Sequence, residues 1–221
     1  MLSKSARGSA RGRRVRLRRE FLVAACTAAC GSAWGFTATL SPASPQTIYL
    51  QVGVGSATGD YINGGQPEKN TTINSVSVSV AASALGTGSA QAMTTNSTAL
   101  VSYWDGYTYC VAGQVYIGGF FRTTGATTSP AQVSATVPAA LTDATGDSLP
   151  FSKISWTSSG NGDSGTEIFP SGKFVNGGTQ TVGTMSSNTW NESCWTFSLA
   201  NTGMVAAGSY SGTVVYTMTA P

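Results

Sequence analysis

The chain has 221 residues, only 10% of which are charged, and its formal net charge at pH 7 is +3. Eight of its 12 lysines and arginines precede Glu20, so the remainder carries four basic and eight acidic residues. Nucleic-acid binding needs clustered Lys and Arg to displace counterions from phosphates, which excludes this class for the remainder of the chain. The absence of histidine excludes Ser-His-Asp catalysis, histidine-ligated zinc and histidine general bases.

Residues 1–35 are predicted to be a cleaved export signal. A basic segment precedes FLVAACTAACGSAWGFTA, an apolar stretch too short and too rich in small residues for a permanent membrane span, which takes about 20 apolar residues. Residues 18–22, with two Arg, one further residue, Phe and Leu, resemble the twin-arginine export motif, and an ordinary secretory signal fits equally well. Small residues suit cleavage after Ala33 or Gly35, with Ala38 as a third candidate. We expect the mature protein in the periplasm, at the cell surface or outside the cell.

Residues 36–46 form a predicted Pro- and Ser-rich connector to a single β domain, residues 47–221. Successive strand side chains point to opposite faces, so alternating apolar and polar residues predict a strand with one buried face. The Asp105-Gly106 pair predicts a hairpin turn. In chain order, strands are predicted at 47–54, 74–80, 84–98 (or an open loop there), 99–111, 114–122, 131–138, 151–157, 174–185 (one or two strands), 190–201 and 208–219.

Short alternating segments about ten residues apart, separated by turn-forming residues, predict an all-β fold, an Ig-like antiparallel β-sandwich. No segment has sustained helical periodicity, and Gly and Pro recur too often for long helices. The last predicted strand has Val215 as the one apolar residue on its Ser- and Thr-rich face. Its apolar face carries Tyr210, Val214, Tyr216 and Met218.

Two cysteines, Cys110 and Cys194, remain beyond the predicted signal, 84 residues apart. In an oxidising compartment two cysteines most simply form one disulfide. A bond across this separation stabilises a fold by on the order of 4 kcal/mol at most. Each cysteine lies in an aromatic segment, so we expect the disulfide to join two core strands.

Two polar loops each carry a pair of acids, Asp143 with Asp147 and Asp163 with Glu167. Aspartates in loops rich in Gly, Ser and Thr usually accept hydrogen bonds from their own turn, and this is the role predicted here. Calcium binding is an alternative, although neither loop follows the EF-hand spacing. Glycoside hydrolysis by a carboxylate pair is another. We expect no catalytic residue, no cofactor and no metal beyond the calcium alternative.

Aromatic residues are concentrated in two of the predicted strand regions. Aromatic side chains on strands with one buried face usually belong to the core. The alternative is a stacking platform for sugar rings, which would make the protein a secreted carbohydrate-binding module with a glycan partner. The residues concerned are Tyr103, Trp104, Tyr107, Tyr109, Trp190 and Trp195.

The terminal stretch 207–217, AGSYSGTVVYT, resembles the end of bacterial chaperone–usher pilus subunits, and within them the spore coat protein U-like type. Such subunits close on a Gly-x-Tyr followed by an alternating Thr/Val strand, and here Gly208 precedes Tyr210. The resemblance implies an incomplete Ig-like sandwich that an N-terminal strand of the next subunit completes. We therefore expect an exported structural or adhesive surface protein, a pilus-type subunit that assembles by β-strand addition with itself or with other surface subunits. The donor residues implied are Ile48, Leu50, Val52 and Val54.

Overall fold

A computed structural model describes residues 38–43, 46–125, 129–162 and 167–221. The predicted signal, residues 1–35, lies outside this description. Three short 3-10 helices, Tyr61–Asn63, Ala82–Ala84 and Phe151–Lys153, accompany the strands. The strands are β1 (Ala38–Thr39), β2 (Thr47–Val52), β3 (Ser56–Thr58), β4 (Gln66–Glu68), β5 (Val76–Ser77), β6 (Gln91–Ala92), β7 (Thr94–Thr95), β8 (Val115–Arg122), β9 (Ala131–Val137), β10 (Ala140–Thr142), β11 (Ser148–Pro150), β12 (Ile154–Ser159), β13 (Gly172–Lys173), β14 (Gly178–Met185), β15 (Thr189–Leu199) and β16 (Val215–Thr219).

The fold is an all-β sandwich of antiparallel sheets, which confirms the predicted class. The larger sheet has the strand order β13-β12-β15-β8-β2, and β1 and β6 also pair with β15. The smaller sheet has the order β14-β9-β16. Apolar side chains from both sheets form one buried cluster, so the main core lies between them. Burial of this apolar surface is the dominant stabilising contribution.

The central strands of the larger sheet are buried on both faces. In β8, Ile117 and Phe121 point into the main core, and Tyr116 and Phe120 point to the opposite, outer face of the sheet. All four side chains are at most 6% exposed. The alternation in the sequence predicts Val115, Ile117, Gly119 and Phe121 on one face of this strand, and this is the inward face. The outer face is also buried because another part of the chain covers it.

Residues 97–111, named here the covering segment, lie over the outer face of the larger sheet. They pack on it in two small apolar clusters, one around the cysteines and one around Trp190. The predicted turn at Asp105-Gly106 is confirmed: Gly106 has a φ of 75°, and the backbone N–H of Ser102 donates to the carbonyl of Tyr107 at 2.7 Å. A left-handed φ of this kind favours glycine.

Two of the predicted strands in this half of the chain, 74–80 and 99–111, are wrong in extent, and 84–98 is closer to its open-loop alternative. Within 74–80 and 84–98 only the two-residue strands β5, β6 and β7 form. Within 99–111 the pairing is a single bridge between Val101 and Thr108. The alternation of small Val and Ser side chains defines two faces, but extended pairing also needs a partner strand of equal length, and these segments have none.

The ends of the predicted domain also differ from expectation. The predicted connector 36–46 contains β1, whose Ala38 pairs with Trp190, and Leu40 beside it is 3% exposed. At the other end, the strand predicted over 208–219 forms only as β16. Gly208, Tyr210 and Val214 precede it, in a stretch that carries the chain from β15 in one sheet to β16 in the other.

Within β16 the predicted faces are confirmed. Met218 is buried in the main core and Tyr216 packs against it, while Val215 on the opposite face is 56% exposed. The strand is hydrogen-bonded to β9, from Val215 opposite Thr136 to Thr219 opposite Gln132. An alternating apolar pattern therefore located the inward face, although it overestimated the length of the strand.

Candidate functional site

The predicted disulfide between Cys110 and Cys194 is confirmed, with a Cα–Cα distance of 5.6 Å and both residues fully buried. Its position differs from the one expected. Cys194 lies in β15 and points to the outer face, whereas Cys110 lies in the covering segment and in no strand. The bond therefore attaches the covering segment to the sheet and does not join two core strands.

A buried carboxylate, Glu192, lies under the covering segment. It is 7% exposed and accepts hydrogen bonds from the Ser102 hydroxyl at 2.9 and 2.8 Å, the Tyr116 hydroxyl at 2.7 Å and Trp190 Nε1 at 3.0 Å. The Tyr109 hydroxyl donates to the backbone carbonyl of Glu192 at 3.2 Å. Buried charges are normally paired or hydrogen-bonded, and here hydrogen bonds alone compensate the burial.

Burial raises the pKa of Glu192 above its ordinary value, and the hydrogen bonds from Tyr116, Trp190 and Ser102 oppose this effect. Burial also raises the pKa of the Tyr116 hydroxyl well above its ordinary value, and the neighbouring Glu192 charge adds to the shift. Tyr116 is therefore a stable proton donor to the carboxylate. Through Ser102 the network attaches the covering segment to Tyr116 of β8 and Glu192 of β15.

Five aromatic side chains form the aromatic cluster on the outer face: Tyr49, Tyr61, Trp104, Phe120 and Trp190. Tyr61 stacks on Trp104 with ring centroids 5.6 Å apart and lies 5.5 Å from Phe120. Phe120 and Trp190 are buried, whereas the other three rings are half-buried. The cluster therefore has a solvent-facing side as well as a buried base.

A pocket of about 420 Å³ opens beside the aromatic cluster, lined by Thr47, Tyr61, residues 64–67, Phe120 and Arg122. The Arg122 Nε donates to the backbone carbonyl of Ser41 at 2.8 Å, and its Nη1 donates to the Tyr61 hydroxyl at 2.8 Å. The guanidinium is thus fixed at the rim of the pocket. An aromatic wall with a fixed cation is a common arrangement for binding a small polar ligand.

The six aromatics considered as a sugar platform do not lie on one surface. Trp195 is buried in the main core, Tyr109 is buried beside the disulfide, and Tyr107 is 53% exposed. Only Trp104 and Trp190 belong to the aromatic cluster, with Tyr103 packed against it. Sequence reasoning missed Tyr49, Tyr61 and Phe120, although Tyr49 and Phe120 carried a usable signal: each lies on the face of its strand opposite the predicted core face.

The predicted donor residues lie in and just after β2. This strand is paired along its whole length with β8 of its own chain, from Thr47 opposite Arg122 to Val52 opposite Ile117. Leu50 and Val52 pack against the main core, Val54 packs against the cysteine cluster, and Ile48 is 52% exposed. Donation of this segment to another copy would first have to release the pairing with β8.

Two strand edges that have no partner strand among the described residues meet on one side of the sandwich. β2 is the last strand of the larger sheet, β16 is the last strand of the smaller sheet, and the two are in contact. Gln46 Nε2 donates to the backbone carbonyl of Pro221 at 3.4 Å, which places the start of β2 beside the end of the chain. Leu50, Val52 and Tyr216 are half-buried along this side. An edge with free backbone groups and apolar side chains is a template for a further strand.

The predicted turn role of Asp143 is supported by its contacts in the hairpin between β10 and β11. Its Oδ1 accepts hydrogen bonds from the backbone N–H groups of Thr145 and Asp147, each at 2.9 Å. The Thr145 hydroxyl and these backbone N–H groups lower the pKa of Asp143. Asp163 lies outside the described residues, and Glu167 accepts a hydrogen bond from the Ser193 hydroxyl at 3.1 Å.

Within the described ranges, no three His, Cys, Asp or Glu side chains come together as ligands for a metal ion. No helix in the part of the chain that the structure describes is long and apolar enough to cross a membrane. Neither a protein-family model, nor a curated protein, nor a solved structure matches the chain. Its function must therefore be inferred from its own geometry.

Proposed function

We propose that the protein is an exported, non-enzymatic β-sandwich with a structural or adhesive role at a cell surface, which assembles by β-strand addition between copies or with other surface subunits. The observation that supports this proposal most directly is the side of the sandwich where the edges of β2 and β16 meet. Backbone N–H and C=O groups along such edges pair with an incoming strand, and alternate side chains provide specificity.

The side chains at these edges suit an apolar partner strand. Ile48 and Val215 are 52% and 56% exposed, and Tyr216 is half-buried. Soluble proteins usually protect edge strands with charged residues, above all lysine, yet β2 and β16 contain none. A partner strand on this side would cover these apolar atoms and satisfy the free backbone groups at the same time.

The proposed location outside the cytosol is supported by the disulfide. Buried disulfides persist in oxidising compartments and are rare in the reducing cytosol. The scarcity of charge, 10% against about 25% in typical soluble domains, agrees with a surface made of Ser, Thr, Asn and Gly. The basic segment before Glu20 and the apolar stretch after it supply the export signal in this proposal.

A donor role remains part of this proposal as a strand-exchanged form of the same assembly. The donor residues in that form are Ile48, Leu50, Val52 and Val54. In that form β2 leaves its own β8 and pairs with the edge of another copy, as in domain swapping. Deleting residues 39–54 would test donation simply, but it would also remove buried Leu40 and an entire strand. Point substitutions at exposed positions are therefore a sharper test.

The test is sedimentation velocity of the processed protein over a range of concentrations. We expect concentration-dependent assembly in the wild type, and loss of assembly in Ile48→Lys and Val215→Lys, because a charge on an edge strand opposes pairing. The matched control is Ile73→Lys, which removes a side chain that is 85% exposed and lies in neither sheet. A wild type that stays monomeric, or a control that loses assembly equally, would contradict the proposal.

A second candidate function is glycan binding, favoured by the solvent-facing side of the aromatic cluster. Tyr61 and Trp104 are half-buried, stacked and adjacent to a pocket. Binding on a glycan array that is lost in Trp104→Ala, with the far-UV circular dichroism unchanged, would support it. The glycan candidate is tested at Trp104 and the assembly at Ile48 and Val215, so the two candidates can be tested with separate variants.

A further inference from the structure

Arg122 is a half-buried cation whose charge is not neutralised within the described residues. It forms no ion pair with a carboxylate there, and its Nη2 donates no hydrogen bond to described atoms. The two hydrogen bonds to Ser41 and Tyr61 fix the guanidinium plane. They use two of the five N–H groups that a guanidinium carries, so further N–H groups remain to bind a ligand. Beyond residue 20 the chain has only four basic residues against eight acids, so a cation without an acidic partner is unusual here.

The pocket that Arg122 helps to line has the size of a small-ligand site. The pocket of about 420 Å³ falls within the range of about 300–1,000 Å³ typical of ligand sites. The rings of Tyr61 and Phe120 provide an aromatic wall. The turn before β4 also lines the pocket; Gly64 in this turn has a φ of 86°, and a Cβ added there would meet nothing within 4 Å. Gln66 is a further lining residue.

We propose that this pocket binds a carboxylated pyranose, a uronic acid unit of an acidic polysaccharide. The aromatic wall stacks against the apolar face of the sugar ring, and the spare N–H groups of Arg122 bind its carboxylate. The proposal rests on the glycan-binding candidate, to which it assigns a site and a ligand class. It does not depend on assembly through β2 and β16.

Ligands that carry no charge, or two charges, fit the pocket less well. A neutral sugar offers the spare N–H groups of Arg122 no charged acceptor, and hydrogen bonds to charged groups are the stronger ones. A phosphorylated ligand carries about two charges, and among the described residues Arg122 is the one basic side chain in the pocket lining. A single carboxylate on a ring matches the single fixed guanidinium and the aromatic wall together.

The test compares the binding of trigalacturonate with that of its methyl ester, which keeps the ring and removes the charge. Quenching of tryptophan fluorescence is a suitable readout, because Trp104 stacks on Tyr61 at the pocket. We expect the wild type to bind the acid about tenfold to a hundredfold more tightly than the ester, the range expected for hydrogen bonds to a charged group. Arg122→Gln should remove this difference. Arg122→Lys should retain part of it, because a lysine keeps the charge but not the planar pair of donors.

The matched control is Lys173→Gln, which removes one exposed positive charge in β13 away from the pocket. It should leave both affinities unchanged, and circular dichroism of every variant checks folding. Equal affinities for acid and ester, or an equal loss in Lys173→Gln, would overturn the proposal while leaving glycan binding as such intact. If the protein binds no glycan of any class, the glycan-binding candidate fails together with this inference. Edge assembly is measured independently of both.

Discussion

Tyr116 donates a hydrogen bond of 2.7 Å to Glu192 on the outer face of the larger sheet, and both residues are at most 7% exposed. Trp190 Nε1 donates to the same carboxylate oxygen, while the other oxygen accepts only from Ser102. A proton on Glu192 would therefore reside on Oε1, the oxygen that accepts from Ser102 and not from Tyr116 or Trp190, because the Ser102 hydroxyl can accept as well as donate. We expect the network to tolerate a neutral side chain of the same shape at this position.

The first prediction concerns pH and Glu192. Burial raises the pKa of Glu192 in the folded protein above the ordinary value of 4.5. Ionisation is therefore less favourable in the folded state than in the unfolded chain, and the stability contributed by Glu192 is complete below pH 4.5 and declines as the pH rises through the raised pKa. Glu192→Gln should remove this decline and be at least as stable as the wild type at pH 7.

Urea unfolding at pH 4, 6 and 8 measures this effect. Glu192→Ala is the contrasting variant, because it leaves the buried donors of Tyr116, Trp190 and Ser102 without an acceptor and should lower the free energy of unfolding by roughly 3 kcal/mol. A Gln variant as unstable as the Ala variant at all three pH values would mean that the network requires the charge.

The second prediction concerns Gly118, which lies opposite Glu192 in the pairing of β8 with β15. A Cβ added at Gly118 would meet the Tyr116 hydroxyl, so Gly118→Ala should displace this hydroxyl from Glu192. Overpacking of this kind costs about 1–3 kcal/mol. Gly125→Ala is the control, because nothing lies near its added Cβ. Thermal unfolding compares the two, and equal melting temperatures would contradict the assigned contact.

The third prediction concerns the disulfide. Because the bond closes an 84-residue separation, its removal in Cys110→Ala/Cys194→Ala should lower the free energy of unfolding by on the order of 4 kcal/mol at most. The covering segment should also loosen, and the emission of Trp104 should shift to longer wavelength before global unfolding. In the wild-type chain without the predicted signal, residues 1–35, thiol titration under native conditions should detect no free thiol. A native protein with two reactive thiols would contradict the bond.

The fourth prediction concerns Asp143. Hydrogen bonds from the Thr145 hydroxyl and from backbone N–H groups lower its pKa below the ordinary value of 3.8. The stabilisation from its charge is therefore present above pH 3.8 and is lost as the pH falls through the lowered pKa. NMR titration of the side-chain carboxyl should locate this pKa, and Thr145→Ala should return it towards 3.8. Millimolar calcium should leave the titration unchanged, and a calcium-dependent shift would instead support a metal site.

The long strands around the main core could be predicted from the sequence. β8, β9 and β14 each begin and end within one residue of the expected segments, or lie inside them. In β8 and β9 the reason is that apolar or small residues occupy every second position over the length of the strand. The predicted face of 114–122 was confirmed for the same reason. At residues 74–80 the alternation was equally regular, but small half-exposed valines provide little burial and no long partner strand lies beside them.

The candidate site depends on long-range register, which the sequence does not encode locally. Tyr49 and Phe120 meet because β2 pairs with β8 in one register, and Tyr61 joins them from a 3-10 helix held by the backbone of Tyr103 and Trp104. Glu192 did carry a signal, since period-2 alternation places it on one face between Trp190 and Cys194. A carboxylate between two residues that are usually buried indicates a buried acid.

The proposed assembly through strand edges is tested most directly by amide hydrogen exchange of the processed protein below and above its assembly concentration. We predict that protection increases in Thr47–Val52 and Val215–Thr219, because an added strand would bond their free backbone groups. Protection around Gly64–Pro67 should stay the same in the absence of glycan. Assembly with no added protection in either edge strand would contradict the account.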